Sequence, residues 1–315
     1  MNQFAQWTAA DQVPADFGPT VVSIGKFDGI HLGHQALMNV AVNEAAASGA
    51  KSAVITFDRH PLALLNPAAL KLPLIGAQQK AKLIRAAGID ALLTLPFDES
   101  LSQLTATEFV EQILVKTMNA KIVVVGVDFR FGKGGSGNPE LLAELSAVHG
   151  FTLHVVPPVL VEGERVSSSL VRQMLDSGNV ERVASLLGRR HETTGVVEHG
   201  LKLGRQLGFP TANMSRSSEG YLPLDGVYAG WLYSDGERYP AALSVGINDT
   251  IQAVPRLMEA HVLNRKDLDL YDKEVTVEYV AFIRPSVKFS GIETLIAAIQ
   301  ADCDKIQAIL ESDLP

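Results

Sequence analysis

The sequence predicts a chain in two parts, an α/β half built on a parallel sheet and an antiparallel β half that ends in a long helix. Between residues 20 and 156, short runs rich in β-branched residues alternate with longer amphipathic stretches. From about residue 190, strand-like runs are joined by turns, and a helical pattern over Ile292–Leu310 follows them. Strands separated by helices form parallel sheets with right-handed crossovers, whereas turn-linked strands pair as an antiparallel sheet or barrel.

The elements follow from these patterns in chain order. The strands of the first half are predicted at Thr20–Ile24, Ala53–Phe57, Ile89–Leu95, Lys121–Gly126 and Phe151–Val156. Its helices are predicted at Gln35–Ser48, Gln78–Ala87, Ala106–Met118 and Pro139–His149. The strands of the second half are predicted at Thr193–Glu198, Val227–Tyr233, Ala241–Gly246, Leu257–Leu263 and Glu274–Phe282. We expect two domains, residues 1–186 and 187–315, with a ligand beyond the carboxyl ends of the parallel strands.

Composition excludes several classes of protein. With 47% hydrophobic and 20% charged residues, the chain is globular and not disordered. Its longest apolar runs fall far short of the ~20 residues that span a bilayer, so we expect no membrane helix. A net charge of −8 argues against nucleic acid as a partner. The sequence leaves open whether the protein forms a homo-oligomer. Residues 1–20 lack the features of a signal peptide, and the single cysteine, Cys303, cannot form an internal disulfide, so we expect a cytoplasmic protein.

A glycine-rich string with two histidines follows the first predicted strand. It reads Gly25-Lys26-Phe27-Asp28-Gly29-Ile30-His31-Leu32-Gly33-His34, and a helix follows. The helix start offers unpaired N–H groups, glycines let a phosphate approach the backbone, and imidazoles can hydrogen-bond phosphoryl oxygens. The alternative is a pair of ordinary capping or core histidines. The position at the expected ligand edge of the sheet favours a phosphate site.

Two other strings of the first half have features that bear on phosphate binding. The chain has no P-loop, and its one GxGxxG string, Gly132–Gly137, does not follow the first strand, so we interpret it as a flexible loop. Val166-Ser167-Ser168-Ser169 predicts the capped start of a short amphipathic helix with Arg172 in its first turn. Hydroxyls beside an arginine can bind a phosphate, but a plain cap with a solvated arginine is an equal alternative.

The second half contains a loop-like string, Gly204–Asn213, whose Thr and Asn oxygens could face a hard cation, although turns use the same residues for purely structural reasons. Strict alternation over Leu257–Leu263 places Glu259 and His261 on one face of a strand. A carboxylate there could accept a proton from a substrate hydroxyl during phosphoryl transfer. On composition alone, a solvent-facing glutamate is the better interpretation.

Taken together, these strings resemble the motifs of bacterial FAD synthetases, the bifunctional riboflavin kinase/FMN adenylyltransferases. Gly25–His34 resembles the family's GxFDGxHxGH and Thr56–Pro61 its TFxPHP. Gly126–Gly132 resembles GxDFRFG, Val166–Arg172 resembles ISSTxIR, and Gly204–Asn213 matches GRxLGFPTAN. The motifs occur in the family's order over about residues 20–310.

The resemblance implies a Rossmann-like adenylyltransferase domain followed by a β-barrel riboflavin kinase domain. In the first, the FMN phosphate would attack the α-phosphorus of ATP and pyrophosphate would leave, without a covalent intermediate. In the second, ATP would phosphorylate riboflavin to FMN. Mg²⁺ would bridge the phosphates in both steps.

The resemblance also implies roles for individual residues. His31 and His34 would stabilise the phosphates, Ser168, Ser169 and Arg172 would hold the pyrophosphate, and Asp128, Phe129 and Arg130 would lie near the flavin. Gly25, Phe27, Asp28 and Gly33 would complete the nucleotide site. In the kinase, Thr211 and Asn213 would bind Mg²⁺ and the ATP phosphates, Glu259 would be the general base, and Gly204, Arg205 and Arg284 would bind ligands.

The chain departs from the family pattern at several positions. In the first half, Arg59 replaces a proline and Ser169 replaces a threonine but keeps its hydroxyl. In the second, Gly246–Ile251 reads GINDTI in place of GxNPTF, Asp269–Asp272 reads DLYD in place of DLYG, and Leu187–His191 reads LGRRH in place of LGRPY. Because Asp249 adds negative charge near the phosphates, we expect a kinase that is present but weakened.

The resemblance indicates a bifunctional FAD synthetase, and three alternatives compete with it. One is an enzyme that only adenylylates FMN, its kinase half having become a binding module. Whether Glu259, Thr211 and Asn213 meet around one Mg²⁺-nucleotide discriminates the two. The second is a flavin sensor without turnover, against which the two histidines argue. The third, adenylyl transfer to a pantetheine or nicotinate compound, leaves the kinase-like half unexplained.

Overall fold

The computed structural model describes residues 4–59, 72–199, 203–246, 256–265 and 267–313. The chain forms two compact units. The first takes in the chain up to Ser167 apart from Pro73–Gly76, and the second takes in those four residues and the chain from Ser168. The domain boundary after residue 186 stays a prediction, since packing alone does not assign a segment to a function.

The first unit is built on a sheet of six strands. They are β1 (Ala5–Trp7), β2 (Thr20–Ile24), β3 (Lys51–Phe57), β4 (Ala91–Leu95), β5 (Ala120–Gly126) and β6 (Thr152–Val156). Their order is β1-β4-β3-β2-β5-β6, and every neighbouring pair is parallel. The predicted parallel sheet is therefore confirmed. The edge strand β1 was missed because three residues are too few to show a period.

Helices and a hairpin surround this sheet. The helices are α1 (Leu32–Ser48), α2 (Ala77–Ala86), α3 (Glu99–Gln103), α4 (Ala106–Phe109) and α5 (Pro139–His149). Val110–Thr117 continues α4 with π-helical winding, so the helix predicted at Ala106–Met118 changes its winding partway. The strands β7 (Leu160–Val161) and β8 (Glu164–Arg165) form a short antiparallel hairpin. The sheet carries fully buried side chains such as Val22, Ile55 and Val123, all at 0% exposure, because helices cover it.

The strand order places a crevice at one edge of the sheet. From β2 the chain moves to β3 and β4 on one side and returns to β5 on the other side. Such a reversal leaves an opening beyond the carboxyl ends of the strands where the order changes, here β2 and β5. Gly25 follows β2, and Gly126 ends β5. The strings Gly25–His34 and Gly126–Gly132 therefore begin side by side.

The second unit is a closed antiparallel barrel, which resolves the choice between sheet and barrel. Its strands are β9 (Glu192–Glu198), β10 (Ala212–Met214), β11 (Gly226–Ser234), β12 (Glu237–Gly246), β13 (Leu257–Val262) and β14 (Glu274–Pro285). Their order around the barrel is β10-β13-β12-β11-β14-β9. Strand β10 begins within the predicted loop at 204–213, because its pairing with β9 and β13, and not its own pattern, makes it a strand.

The described part of the second unit contains four helices: α6 (Ser168–Asp176), α7 (Val180–Leu187), α8 (Leu203–Gln206) and α9 (Ile292–Ser312). Helix α9 packs on the barrel through a cluster that includes Trp231, Ile306 and Leu310. Cys303 is buried in the same cluster, and burial raises the pKa of its thiol to about 11. Among the described residues, no helix combines the length and apolar character needed to span a bilayer.

Candidate functional site

The string after β2 folds into a tight, strained loop. Phe27 and Ile30 have φ angles of 48° and 43°, in the left-handed region that bulky residues rarely adopt. Both side chains are buried, at 0% and 2% exposure, so core packing holds the backbone in this form. This strained backbone sets the direction in which the side chains of His31 and His34 point.

His31 is the N-cap of helix α1, and His34 lies in its first turn. Nδ1 of His31 accepts a hydrogen bond from the backbone N–H of His34 at 3.4 Å. In a neutral imidazole this bond leaves the proton on Nε2, so Nε2 is the donor of that ring. The capping interpretation of His31 and the ligand-binding interpretation are therefore compatible, because the cap uses one ring nitrogen and orients the other.

His34 is held as a neutral imidazole. Burial lowers its pKa well below 6.5, and the neighbouring His31 and Lys80 lower it further. Its Nδ1 is buried without a hydrogen-bond partner among the described residues. An unpaired polar atom of this kind costs free energy unless a ligand or water satisfies it, so it is evidence for a binding site.

Gly33 lies between the histidines, where a side chain would fit only if the His31 ring shifted slightly. A Cβ atom at this position would be 3.1 Å from Cε1 and Nδ1 of the His31 ring. It would also be 3.9 Å from the carbonyl oxygen of Val166, which begins the string Val166–Arg172. At Gly25, a Cβ would be 3.2 Å from the ring of Phe27. Both glycines therefore serve close packing around the loop.

Lys80 on helix α2 is a cation of this site that the sequence analysis missed. Its Nζ donates to the backbone carbonyl of Lys26 at 3.0 Å, and the hydroxyl of Thr56 donates to the same carbonyl at 3.0 Å. The carboxylate of Asp28 interacts electrostatically with Lys80. A lone lysine in an amphipathic pattern reads as a solvated side chain, so no sequence pattern could have identified it.

The string after β5 places Asp128, Phe129 and Arg130 beside the crevice. Phe129 stacks on the buried Phe131 with ring centroids 5.4 Å apart, while Asp128 and Arg130 are exposed. Asp128 pairs with Arg165 of the β7–β8 hairpin at 2.6 Å, a contact that the sequence did not indicate. Their predicted place near a flavin stays a prediction.

Ser168, Ser169 and Arg172 lie together at the start of helix α6, which belongs to the second unit. Arg172 is 8% exposed, so the alternative of a solvated arginine is wrong. Its guanidinium carbon lies 5.0 Å from the ring centroid of Tyr221, whose hydroxyl donates to Asp176 one helical turn further along α6. A buried guanidinium over an aromatic face is oriented, as anion recognition requires.

In the barrel, three residues predicted to act together are adjacent. Asn213 on β10 is directly opposite Glu259 on β13, and the side chain of Thr211 hydrogen-bonds the Glu259 carboxylate. Side chains directly opposite on antiparallel strands lie on one face with Cβ atoms about 5 Å apart. The three hard oxygen donors are therefore adjacent, and whether they meet around one Mg²⁺-nucleotide stays a prediction.

Glu259 has the electrostatic character of a base. Burial raises its pKa above 4.5, and the Thr211 hydrogen bond opposes the rise. A carboxylate with a raised pKa accepts a proton more readily at neutral pH. No group of three metal-ligating His, Cys, Asp or Glu residues occurs in the part of the chain that the structure describes. A cation here would depend on hydroxyl, amide and ligand oxygens as well as Glu259.

A pocket on the barrel contains two of these residues, Thr211 and Asn213, together with two side chains that the sequence did not indicate. It is lined by Thr211, Asn213 and Arg205, and also by Arg265 and Tyr271. Tyr271 lies against His199 with ring centroids 4.0 Å apart. Next to Arg205, the backbone carbonyl of Gly204 accepts a hydrogen bond from the N–H of Phe209 at 2.8 Å, which closes a turn.

Arg284 is engaged with the terminal helix. Its guanidinium donates to both carboxylate oxygens of Asp302, at 2.7 to 3.0 Å. This pairing connects the end of β14 to α9, and a ligand-binding role for Arg284 stays a prediction.

The departures from the family pattern fall partly outside the described residues. Asp249 and Ile251 lie outside them, and so do Asn248, His60 and Pro61, which agree with the pattern. Asp272 is described, and its φ of 60° is in the left-handed region that favours glycine. Aspartate tolerates this conformation better than most residues, so the turn keeps its shape without the usual glycine.

Comparisons with known proteins agree with this geometry. The profile of the FAD synthetase family matches residues 13–170, and that of the riboflavin kinase family matches residues 187–310. A bifunctional riboflavin kinase/FMN adenylyltransferase of Pseudomonas fluorescens is 35% identical over 92% of each chain. One of Listeria monocytogenes is 34% identical over 90% of each chain. A crystal structure titled as a macrolide-efflux protein from Streptococcus pneumoniae superposes with a TM-score of 0.84 at 30% identity, covering 96% of this chain and 98% of that one.

Proposed function

The chain belongs to the family of bifunctional riboflavin kinase/FMN adenylyltransferases, and we propose that it makes FMN from riboflavin and FAD from FMN, using ATP in both reactions. The observation that carries the proposal is the pair of sites: stacked histidines at the switch point of a parallel sheet, and Glu259, Thr211 and Asn213 together on a barrel. A sensor without turnover needs neither a base with a raised pKa nor an oriented pair of imidazoles.

In the first reaction, the phosphate of FMN attacks the α-phosphorus of ATP and pyrophosphate leaves. We assign His31 and His34 to hydrogen bonds with the phosphoryl oxygens, where negative charge accumulates in the transition state. Ser168, Ser169 and Arg172 are assigned to the pyrophosphate on their motif, supported by the burial of Arg172. Asp128, Phe129 and Arg130 are assigned to the flavin side of the crevice.

In the second reaction, the carboxylate of Glu259 accepts the proton of the riboflavin hydroxyl that receives the γ-phosphoryl group of ATP. Its raised pKa suits it to this role, and Thr211 fixes its orientation. Arg205 and Gly204, in the short helix α8, are assigned to the ATP phosphates on their motif. Arg284 supports the barrel end through Asp302.

Mg²⁺ is part of the proposal. The donor set of Thr211 and Asn213 fits a hard cation, since hydroxyl and amide oxygens complete a shell that substrate phosphates supply in part. When bound, the ion would neutralise phosphate charge during phosphoryl transfer. We also propose that the protein acts in the cytoplasm, where ATP is available, and that its ligands include small-molecule flavins.

The test is a flavin assay with two starting points. The purified protein is incubated with ATP and Mg²⁺ and either riboflavin or FMN, and the products are separated by chromatography. FAD from both supports the bifunctional proposal. FAD from FMN alone would show that the kinase is silent, and no new flavin from either would reject both activities. Glu259→Gln is expected to abolish FMN formation while FAD formation from FMN continues.

A further inference from the structure

His34, one of the two histidines of the adenylyl-transfer site, carries no positive charge at neutral pH. The rings of His31 and His34 are stacked 3.7 Å apart, and burial together with neighbouring His31 and Lys80 keeps the pKa of His34 well below 6.5. A neutral imidazole donates a hydrogen bond but does not offset a full negative charge. Two phosphate-bearing substrates have to meet there, so a protein cation close to the pair would stabilise their negative charge.

Lys80 is placed to be that cation. It comes from helix α2, far in sequence from the loop, yet its Nζ lies 3.0 Å from the carbonyl oxygen of Lys26 near the start of the glycine-rich string. It is close enough to His34 to act on that ring electrostatically. Its side chain is half-buried, so water does not fully screen its charge.

The ammonium keeps donors for a ligand. A protonated lysine has three N–H groups, and the Lys26 carbonyl is its one hydrogen-bond acceptor within the described ranges. That carbonyl also accepts from Thr56, so the position of Nζ is fixed by a framework that includes β3. Burial lowers the pKa of Lys80 and Asp28 opposes this, so a bound phosphate would favour the charged form.

We propose that Lys80 binds phosphoryl oxygens at the adenylyl-transfer site and is a catalytic residue of that reaction; this inference rests on the proposed function. As an oxygen of the FMN phosphate bonds to the α-phosphorus of ATP, the bond from that phosphorus to the bridging oxygen breaks, and the electron pair leaves with pyrophosphate. No proton has to move. The Lys80 ammonium offsets charge on the non-bridging oxygens while the histidines orient them.

The experiment uses the full chain and three variants. Lys80→Met removes the charge and keeps most of the stem, Lys80→Arg keeps a charge, and Lys82→Met is the matched control on the same helix, where Lys82 is exposed. We measure kcat/KM for FAD formation from FMN, the riboflavin kinase rate, and thermal unfolding. A calorimetric titration with inorganic pyrophosphate adds a readout without turnover.

Lys80→Met is expected to lower kcat/KM for FAD formation roughly 100- to 1,000-fold and to weaken pyrophosphate binding at least tenfold, about the effect of losing one charge-stabilising donor. Lys80→Arg is expected to recover most of the rate and, because arginine keeps its proton, to move the alkaline limb of the pH profile upward. Lys82→Met and the kinase rate should match the wild type.

Two results would overturn the inference. The first is a Lys80→Met variant that folds and forms FAD within threefold of the wild-type kcat/KM. The second is a Lys80→Met variant with unchanged pyrophosphate affinity, which would show that Lys80 only holds the Lys26 carbonyl in place. If the wild type forms no FAD from FMN, the proposed function fails, and pyrophosphate binding alone then decides whether Lys80 is an anion-binding residue.

Discussion

The imidazole rings of His31 and His34 are stacked, with centroids 3.7 Å apart and planes inclined by 19°. The backbone N–H of His34 donates to Nδ1 of His31, so the first turn of α1 itself builds the pair. Burial disfavours the protonated form of His34, because a charge on that ring would be far from water. The helix cap therefore orients a neutral His34 ring against His31.

The first prediction concerns the protonation of His34. Because its pKa is held well below 6.5, its ring signals in an NMR titration should not shift between about pH 8 and 6.5. His34→Gln identifies the signals by their loss, and we expect it to lower FAD formation roughly 100-fold. His149→Gln, on α5, is the control and should leave FAD formation unchanged. A His34 titration centred at 6.5 or above would contradict the prediction.

The second prediction concerns Thr211 and the base. Thr211 stabilises the ionised form of Glu259, so Thr211→Val should raise the pKa of Glu259 further. The acid limb of the riboflavin kinase pH profile should then move to higher pH, with a lower rate at neutral pH. Thr211→Ser keeps the hydroxyl and should restore the wild-type limb. If the acid limb of the kinase pH profile is unchanged in Thr211→Val, the ionisation of Glu259 does not determine that limb.

The third prediction concerns the loop before Thr211. A Cβ at Gly204 would lie 2.4 Å from the carbonyl oxygen of Phe209, so Gly204→Ala must displace the backbone that leads to Thr211. We expect the kinase rate to fall roughly 10- to 100-fold, the effect of a small misplacement in a site. FAD formation from FMN should stay within twofold.

Gly291→Ala is the matched control in the same unit, because nothing lies within 4 Å of a Cβ there. It should leave both activities intact. Equal kinase rates in Gly204→Ala and Gly291→Ala would exclude a close approach of Gly204 to Phe209.

The fourth prediction concerns stability. His191 is 2% exposed, lies against Tyr279 and hydrogen-bonds the Tyr221 carbonyl through Nε2 at 2.6 Å. Burial, with Arg189 nearby, lowers its pKa from 6.5 to about 4. As the pH falls, the unfolded chain therefore binds a proton at this histidine before the folded chain does. The contribution of neutral His191 to the free energy of unfolding is complete above pH 6.5 and is lost as the pH falls toward 4.

This loss amounts to about 3 kcal/mol at pH 4, since each unit of pKa difference is worth about 1.4 kcal/mol. His191→Gln keeps a side-chain donor for the Tyr221 carbonyl but does not titrate. Its free energy of unfolding in urea should fall less than that of the wild type between about pH 7.5 and 4.5. The same fall in both proteins would show that His191 is not the acid-sensitive group.

Much of the fold followed from local patterns. The alternation of β-branched runs with amphipathic stretches predicted the parallel sheet, and turn-linked strands predicted antiparallel pairing in the second half, because both depend on side-chain periodicity and loop length. Strand β10 was not predictable, since its three residues pair on both sides with strands distant in the chain. Barrel closure also depends on such long-range pairing.

The sequence by itself determined which groups could do chemistry: the histidines and glycines of Gly25–His34, the hydroxyls and arginine of Val166–Arg172, and Thr211, Asn213 and Glu259. Only the tertiary structure decided their states. It placed Lys80 on the carbonyl of Lys26, held His34 neutral, and set Asn213 opposite Glu259. A motif records residue types over a short span, whereas charge state and contact depend on burial and on neighbours that the fold brings from far along the chain.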